Sequence, residues 1–244
     1  MRWLVLLWLA LNMCAVAAAA DTAVPDDLLA GIDAYNAGDF ATAAHRLQAA
    51  TDQGNAEAMV NLGYLYARGQ GVVSNPDYAL LLYQHAAALG DGEAMNAIGY
   101  RFNFAATPDL HAAIEWYCRA IALGNPRAMN NLAILAYNGR GVPPDRAEAR
   151  NLWRQSSALG HLNSRANLGL DLASDTTLSE VERQDGYAML RDAALRGSAI
   201  AQDILRKWGD TEVFPPSTVT ALTMRLEQRD SPPGSSNLCG RPIS

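Results

Sequence analysis

Four histidines and three cysteines are the side chains of this chain best suited to ligate a metal, exchange a disulfide or take part in proton transfer. The histidines, His45, His85, His111 and His161, fall in four different stretches, each near a turn or on a polar helix face. A metal or catalytic centre needs its members to converge on one point. The spacing therefore predicts four solvated surface histidines. No H-E-x-x-H, C-x-x-C, G-x-S-x-G or phosphate-binding glycine loop is present, so no catalytic residue, metal or cofactor is expected.

The elements that would have to position any site are repeated. Residues 56–91 and 126–161 are two spellings of one phrase, a degenerate copy fills 92–125, and a more divergent one follows at 162–198. Self-similarity at this period means stacked supersecondary units. Gly63, Gly99, Ala133 and Gly169 mark a first helix in each copy, and Gly90, Gly124, Gly160 and Gly197 mark the end of a second. Ala58, Leu62 and Tyr66, then Ala94, Ile98 and Phe102, step by four residues along one face, which is the period of an amphipathic helix. A glycine in mid-helix costs about 1 kcal/mol of propensity, so the first marker implies a closely approaching neighbour helix. In the second helix a large residue stands seven before the marker (Tyr83, Tyr117, Trp153, Leu190), with small ones at four before (Ala86, Ala120, Ser156, Ala193) and eleven before (Ala79, Ala113, Ala149, Gly186). Between the helices, Gly69-Gln70-Gly71-Val72 and Gly139-Arg140-Gly141-Val142 predict a capped, tight return. Pro76, Pro108 and Pro144 are expected to open the second helix. Residues 27–55 hold a further unit with a shorter turn at Gly38-Asp39.

The pattern A-E-A-x-x-x-L-G-x-x-Y-x-x-G-x-G-V followed by Y-x-x-A-A-x-x-G resembles the Sel-1-like repeats, which are related to tetratricopeptide repeats. The resemblance covers residues 27–198 plus a terminal half-unit, Ala199 to Gly209. Two copies depart from it in the turn, at Asn103-Phe104-Ala105 and at Ala173-Ser174-Asp175. The fold it implies is all-α: a right-handed α/α solenoid of about five helix-turn-helix repeats over 27–209, closed by a C-terminal capping helix. A partly disordered tail at 210–244, with one short helix near 217–228, is expected to follow.

Arg2, the apolar run Trp3 to Leu11 and Ala18-Ala19-Ala20 predict a signal peptide over 1–20 and export to the periplasm or medium. The alternative is an uncleaved anchor, since Trp3 to Ala20 approaches the roughly 18–20 residues that span a bilayer. Once the signal is removed, no transmembrane span is expected. Met13 is too large for the residue before a lipidated cysteine, which argues against a lipid anchor on Cys14. The exported chain would keep Cys118 and Cys239. Cys118 stands where other copies carry Gln84, Arg154 and Arg191, so it is expected to be exposed. Because an exposed thiol is unstable in an oxidising compartment, a bridge to Cys239 that ties the tail back across the second helices is expected; the alternative is an unpaired thiol or a bridge to another chain.

The net charge of minus six, with nearly all positive charge on arginine, offers no basic face for nucleic acid. In tetratricopeptide-like stacks the first helices line the concave side. The resemblance therefore implies a binding stripe of Glu57, Tyr64, Arg68, Glu93, Asn96, Tyr100, Phe104, Arg127, Asn130, Asn138 and Asn163 for a protein or peptide, aromatic and arginine side chains being the usual anchors of such contacts. The alternative is a solvated face with tyrosines packed sideways. Asn61, Asn131 and Asn167, two before the marker, are expected to bond to neighbouring turns. By resemblance, the function expected is a protein-interaction scaffold, adaptor or regulator in the bacterial cell envelope. The alternatives are an envelope hydrolase of the cysteine-rich, β-lactamase-like repeat type, whose cysteine pair in every repeat is missing here, and a secreted effector engaging host proteins.

Overall fold

The computed structural model describes residues 26–210 and 238–240. The signal peptide expected at 1–20 and nearly all of the tail expected at 210–244, including the helix near 217–228, lie outside the described residues. Among the described residues every regular element is an α-helix. In chain order these are α1 (Asp26–Asn36), α2 (Phe40–Asp52), α3 (Ala56–Arg68), α4 (Pro76–Ala88), α5 (Gly92–Asn103), α6 (Leu110–Ala122), α7 (Pro126–Asn138), α8 (Arg146–Ala158), α9 (Leu162–Ser174), α10 (Glu180–Leu195) and α11 (Ala199–Lys207). None is long and apolar enough to cross a membrane. The chain divides into two compact units at Leu89/Gly90, the first holding α1–α4 and the second α5–α11.

In the first unit α1 packs on α2, α2 on α3, and α3 on α4. The first-helix glycines allow the close crossings. A Cβ on Gly31 would stand 2.8 Å from Leu47 Cγ, and one on Gly63 would overlap the Tyr83 ring. Asn55 starts α3 by accepting from Ala58 N at 2.8 Å, and Asn75 starts α4 by accepting from Tyr78 N at 3.0 Å. Gly69 ends α3 in the left-handed conformation at φ 66°. Gly71, at φ 69°, has a second reason to be glycine: any Cβ there would run into the carbonyl of Phe40 at the start of α2.

The second unit repeats the same physics. Helices pair as α5 with α6, α7 with α8 and α9 with α10, while α6 meets α7, α8 meets α9, and α11 closes against α9 and α10. Ala113, Ile114, Tyr117, Leu132, Ala133, Leu135, Leu152, Trp153 and Leu168 belong to one continuous core, and Ala166, Leu190, Ala193, Ala201 and Leu205 form a second cluster under α11. Gly99 faces Tyr117, whose ring would lie 2.8 Å from an added Cβ. Between α9 and α10 the large residue shrinks to Leu190, and the helices come so close that a Cβ on Gly169 would sit 2.7 Å from the Gly186 carbonyl. That explains why the position held by alanine in the other copies is Gly186 here.

One expectation about helix starts is corrected. Pro76 is the first residue of α4, but Pro108 and Pro144 precede the caps of α6 and α8. Asp109 and Asp145 are those caps, accepting from Ala112 N and Glu148 N at 2.9 Å each. A carboxylate acceptor there satisfies a free backbone donor, whereas proline only presets the backbone leading in.

Candidate binding face of the first helices

The first helices carry the predicted stripe, and the structure sorts its residues into three environments. In the first unit Glu57 and Arg68 are exposed and Tyr64 is half-buried. Tyr64 leans on Tyr83 with ring centroids 5.6 Å apart, and the Arg68 guanidinium lies 5.7 Å from the Tyr64 ring. Arg68 also donates to Tyr35 Oη at 3.4 Å. Tyr64 is thus packed sideways, and the charged end of Arg68 covers it.

In the second unit the N-terminal ends of α5 and α7 are tied by Glu93. Its carboxylate accepts from Asn125 Nδ2 at 3.0 Å, Arg127 at 3.2 Å and Asn96 Nδ2 at 3.4 Å. Arg127 itself is exposed. Asn163 is half-buried and accepts from Ser198 Oγ at 3.4 Å.

Asn96 and Asn130 correct the sequence expectation. They are only 5% and 8% exposed, so they are not part of a solvated groove. Asn131 Nδ2 donates to Asn96 Oδ1 at 2.9 Å, and Asn167 Nδ2 donates to Asn130 Oδ1 at 3.0 Å. Ser164 Oγ adds a 3.1 Å bond to the same Asn130 oxygen. The position three before the marker therefore faces the next first helix, where the residue two before the next marker meets it. Asn131 and Asn167 bond to these asparagines, not to neighbouring turns. The ladder was visible in the sequence only as two unconnected recurrences. At the following step the same two positions hold Ala166 and Ile204, both in the apolar cluster under α11.

Tyr100 and Phe104 remain outward. They are 52% and 60% exposed and pack on one another with centroids 4.4 Å apart and ring planes tilted by 33°. Phe104 is the C-cap residue of α5, in the turn where this copy lacks the glycine pair. Asn138 is exposed, its amide turned back to Ile134 O at 2.9 Å. Sequence reasoning missed Tyr137, which is 41% exposed, rests on Trp153 and has the Arg146 guanidinium 6.0 Å from its ring. Its place four after the marker lies beside the predicted stripe, and a wider stripe would have included it.

Charged groups elsewhere in the second unit tie α8 to α9. Asp171 on α9 accepts from Arg146 at 2.6 Å and from Arg150, and Asp175 accepts from Arg150 at 2.5 Å and pairs with Arg146 at 3.0 Å. Hydrogen bonds from Thr177 and then Arg150 hold the Asp175 carboxyl well below the usual carboxylate range. His161 caps α9 without a side-chain bond to the helix backbone, its Nδ1 lying 2.9 Å from Ser164 Oγ. Burial first, and then the Arg127 charge, lower its pKa. His45, His85 and His111 are exposed, but His161 is half-buried, against the expectation of four surface histidines. Among the described residues no three metal-ligating side chains are grouped to hold an ion.

Cys118 and Cys239 are joined as a disulfide, with Cα atoms 5.4 Å apart. Cys118 is half-buried against the main core of the second unit, not exposed as its repeat position suggested. The equivalent positions vary: Gln84 is exposed, Arg154 half-buried and Arg191 buried. The position is therefore not uniformly exposed along the array, and at Cys118 it also meets the turn at 238–240, whose Leu238 is 5% exposed in the same core.

Paired helices, small residues at every crossing and a capped turn between pairs define an α-helical repeat protein. Three of these repeats, residues 56–91, 92–125 and 126–161, match the Sel1 repeat family. Sel1 repeat proteins typically serve as protein-interaction scaffolds. Among solved structures, the chain is similar to c5321, a protective antigen of uropathogenic Escherichia coli strains displaying an SLR fold. The TM-score is 0.60 at 23% identity, over 82% of this chain and 44% of that one. It is also similar to a Sel1 repeat protein from Oxalobacter formigenes, with a TM-score of 0.55 at 21% identity over 84% of this chain and 86% of that one. The chain thus spans less than half the length of the E. coli antigen, and both likenesses concern the fold.

Proposed function

We propose that this chain is an exported Sel1-repeat adaptor of the bacterial cell envelope that holds a protein or peptide against its first helices. The observation that carries this reading is the Tyr100–Phe104 pair. Two aromatic rings in contact with each other yet more than half exposed offer contact area that is already partly ordered, so less side-chain freedom is left to lose on binding. Arg127 and Asn138 supply exposed polar groups on the neighbouring first helix. Buried Asn96 and Asn130 stiffen the face from beneath and do not touch the partner. Export is supported by the signal-like residues 1–20 and suits a chain with a disulfide.

The test is crosslinking in intact cells followed by affinity purification of the full chain. One protein should be enriched with the wild type and reduced at least about tenfold with Tyr100→Ala/Phe104→Ala, equivalent to about 1.4 kcal/mol of lost contact. Equal recovery by both forms would overturn the assignment of the face. Recovery of no partner would overturn the adaptor reading.

A further inference from the structure

Arginines of the second unit are mostly engaged: Arg127, Arg146, Arg150, Arg165 and Arg191 each hold a carboxylate. Arg140 has no carboxylate partner among the described residues, although it is half-buried. A guanidinium partly withdrawn from water without a counter-charge is unfavourable in the free protein. Its place is fixed by the backbone. Arg140 stands in the α7–α8 turn between Gly139 and Gly141, at φ 65° and 74°, and its N–H donates to Leu135 O at 2.9 Å. A Cβ on Gly141 would lie 2.7 Å from Leu110 Cβ, so this turn is seated on the start of α6, where the chain has just left α5. Burial above all pushes the Tyr117 hydroxyl of α6 up; Asn103 lies beside it, and Tyr100 and Arg140 both act on it through charge. Arg140 and the exposed Tyr100–Phe104 pair are thus gathered at the C-terminal ends of α5 and α7, with exposed Tyr137 just before the turn. The acids that open the following helices are committed, Asp109 to Ala112 N and Asp145 to Glu148 N.

We propose that Arg140 sets the specificity of this face: it takes an aspartate or glutamate side chain of a partner peptide segment, while Tyr100 and Phe104 take an adjacent apolar side chain. This rests on the reading of the first helices as the binding face. A carboxylate can accept two parallel bonds from one guanidinium, and it brings the counter-charge that Arg140 lacks. The aromatic pair supplies apolar area next to that charge, so the segment is recognised by an acid and an apolar residue together. The chain as a whole carries minus six, which repels acidic segments in general. Attraction is therefore local to this turn.

The probes are random linear peptides displayed on phage, selected on the full chain, then synthesised and titrated by fluorescence anisotropy. Selected sequences should carry Asp or Glu next to an aromatic residue or leucine, and their affinity should fall as salt is raised. Arg140→Gln, which places there the residue type of Gln70 in the first complete copy, should leave the melting curve unchanged and weaken binding at least about tenfold. Arg140→Lys keeps the charge without the paired donors and should fall between the two. Changing the peptide's acid to its amide should cost the wild type about tenfold and Arg140→Gln little, the coupling expected of a direct contact. Tyr100→Ala/Phe104→Ala should weaken acid and amide peptides alike. If Arg140→Gln binds as the wild type does while the aromatic double variant loses the peptides, the carboxylate contact is overturned and the binding face stands. Equal loss of acid and amide peptides on Arg140→Gln, or selected peptides without an acid, overturns the contact as well. If neither variant changes binding, or no peptide is selected, both readings are overturned.

Discussion

At the scale of single residues, most recurrent positions are answered by distance. Gly169 and Gly186 sit where α9 and α10 touch backbone to backbone. Gly186→Ala should lower unfolding stability by about 1–3 kcal/mol, because the added methyl meets Leu172 Cβ and the Ala173 backbone, neither of which is a flexible side-chain end. Urea unfolding of the variant checks this, and Gly124→Ala is no substitute control because its backbone is left-handed. His161 is the exception among the first-helix caps, since Asn55, Asp91 and Asn125 each accept a backbone bond that it does not make. His161→Asn should gain about 0.5–1 kcal/mol. It should also remove a pH dependence. Burial lowers the pKa of His161 in the folded chain, so the unfolded chain binds its proton first as pH falls below about 6.5, and wild-type stability drops there. A pH series of melting curves should show that slope in the wild type and its loss in the variant.

At the scale of elements, the sequence displayed what repeats and hid what pairs. Marker glycines, the large–small–small second helix and the G-x-G-V turns predicted the helix pairs, because each is set by local geometry within one copy. The asparagine ladder was hidden because its rungs join one copy to the next with different offsets, Asn96 to Asn131 and Asn130 to Asn167. The Cys118–Cys239 bridge was legible from the two cysteines left after export, but the half-burial of Cys118 was not. The rungs make a testable coupling. Asn130→Ala alone leaves Asn167 without this acceptor, while Ser164 keeps Ser156 Oγ at 2.7 Å, and should cost about 1–3 kcal/mol. Adding Asn167→Ile recreates the Ala166–Ile204 combination of the next step and should recover part of that loss, giving a coupling of about 0.5 kcal/mol or more in a double-mutant cycle. Asp171 is nearly fully buried between Arg146 and Arg150. Asp171→Ala removes one of the two carboxylates these arginines share, leaving both on Asp175, and should destabilise the α8–α9 contact by about 1.5–3 kcal/mol, read by denaturant unfolding. Asp175 contributes stability that is present above the ordinary carboxylate range. It is lost as pH falls below about 4 toward its depressed folded value, so acid should loosen this contact.

At the scale of the whole molecule, structural needs account for the buried asparagines, the arginine–aspartate pairs and the marker glycines, leaving few residues free for recognition. Outward residues of the second unit include the aromatic pair on α5, with Arg127, Tyr137 and Asn138 on α7. Its other exposed apolar residues include Val181 on α10, a second helix. That contrast permits a direct test: a photo-crosslinking residue placed at Tyr100, Phe104 or Val181 of the full chain, activated in intact cells. The account predicts a discrete crosslinked partner from positions 100 and 104 and none from 181. Equal adducts from all three, or a partner captured only at 181, would contradict binding at the first helices.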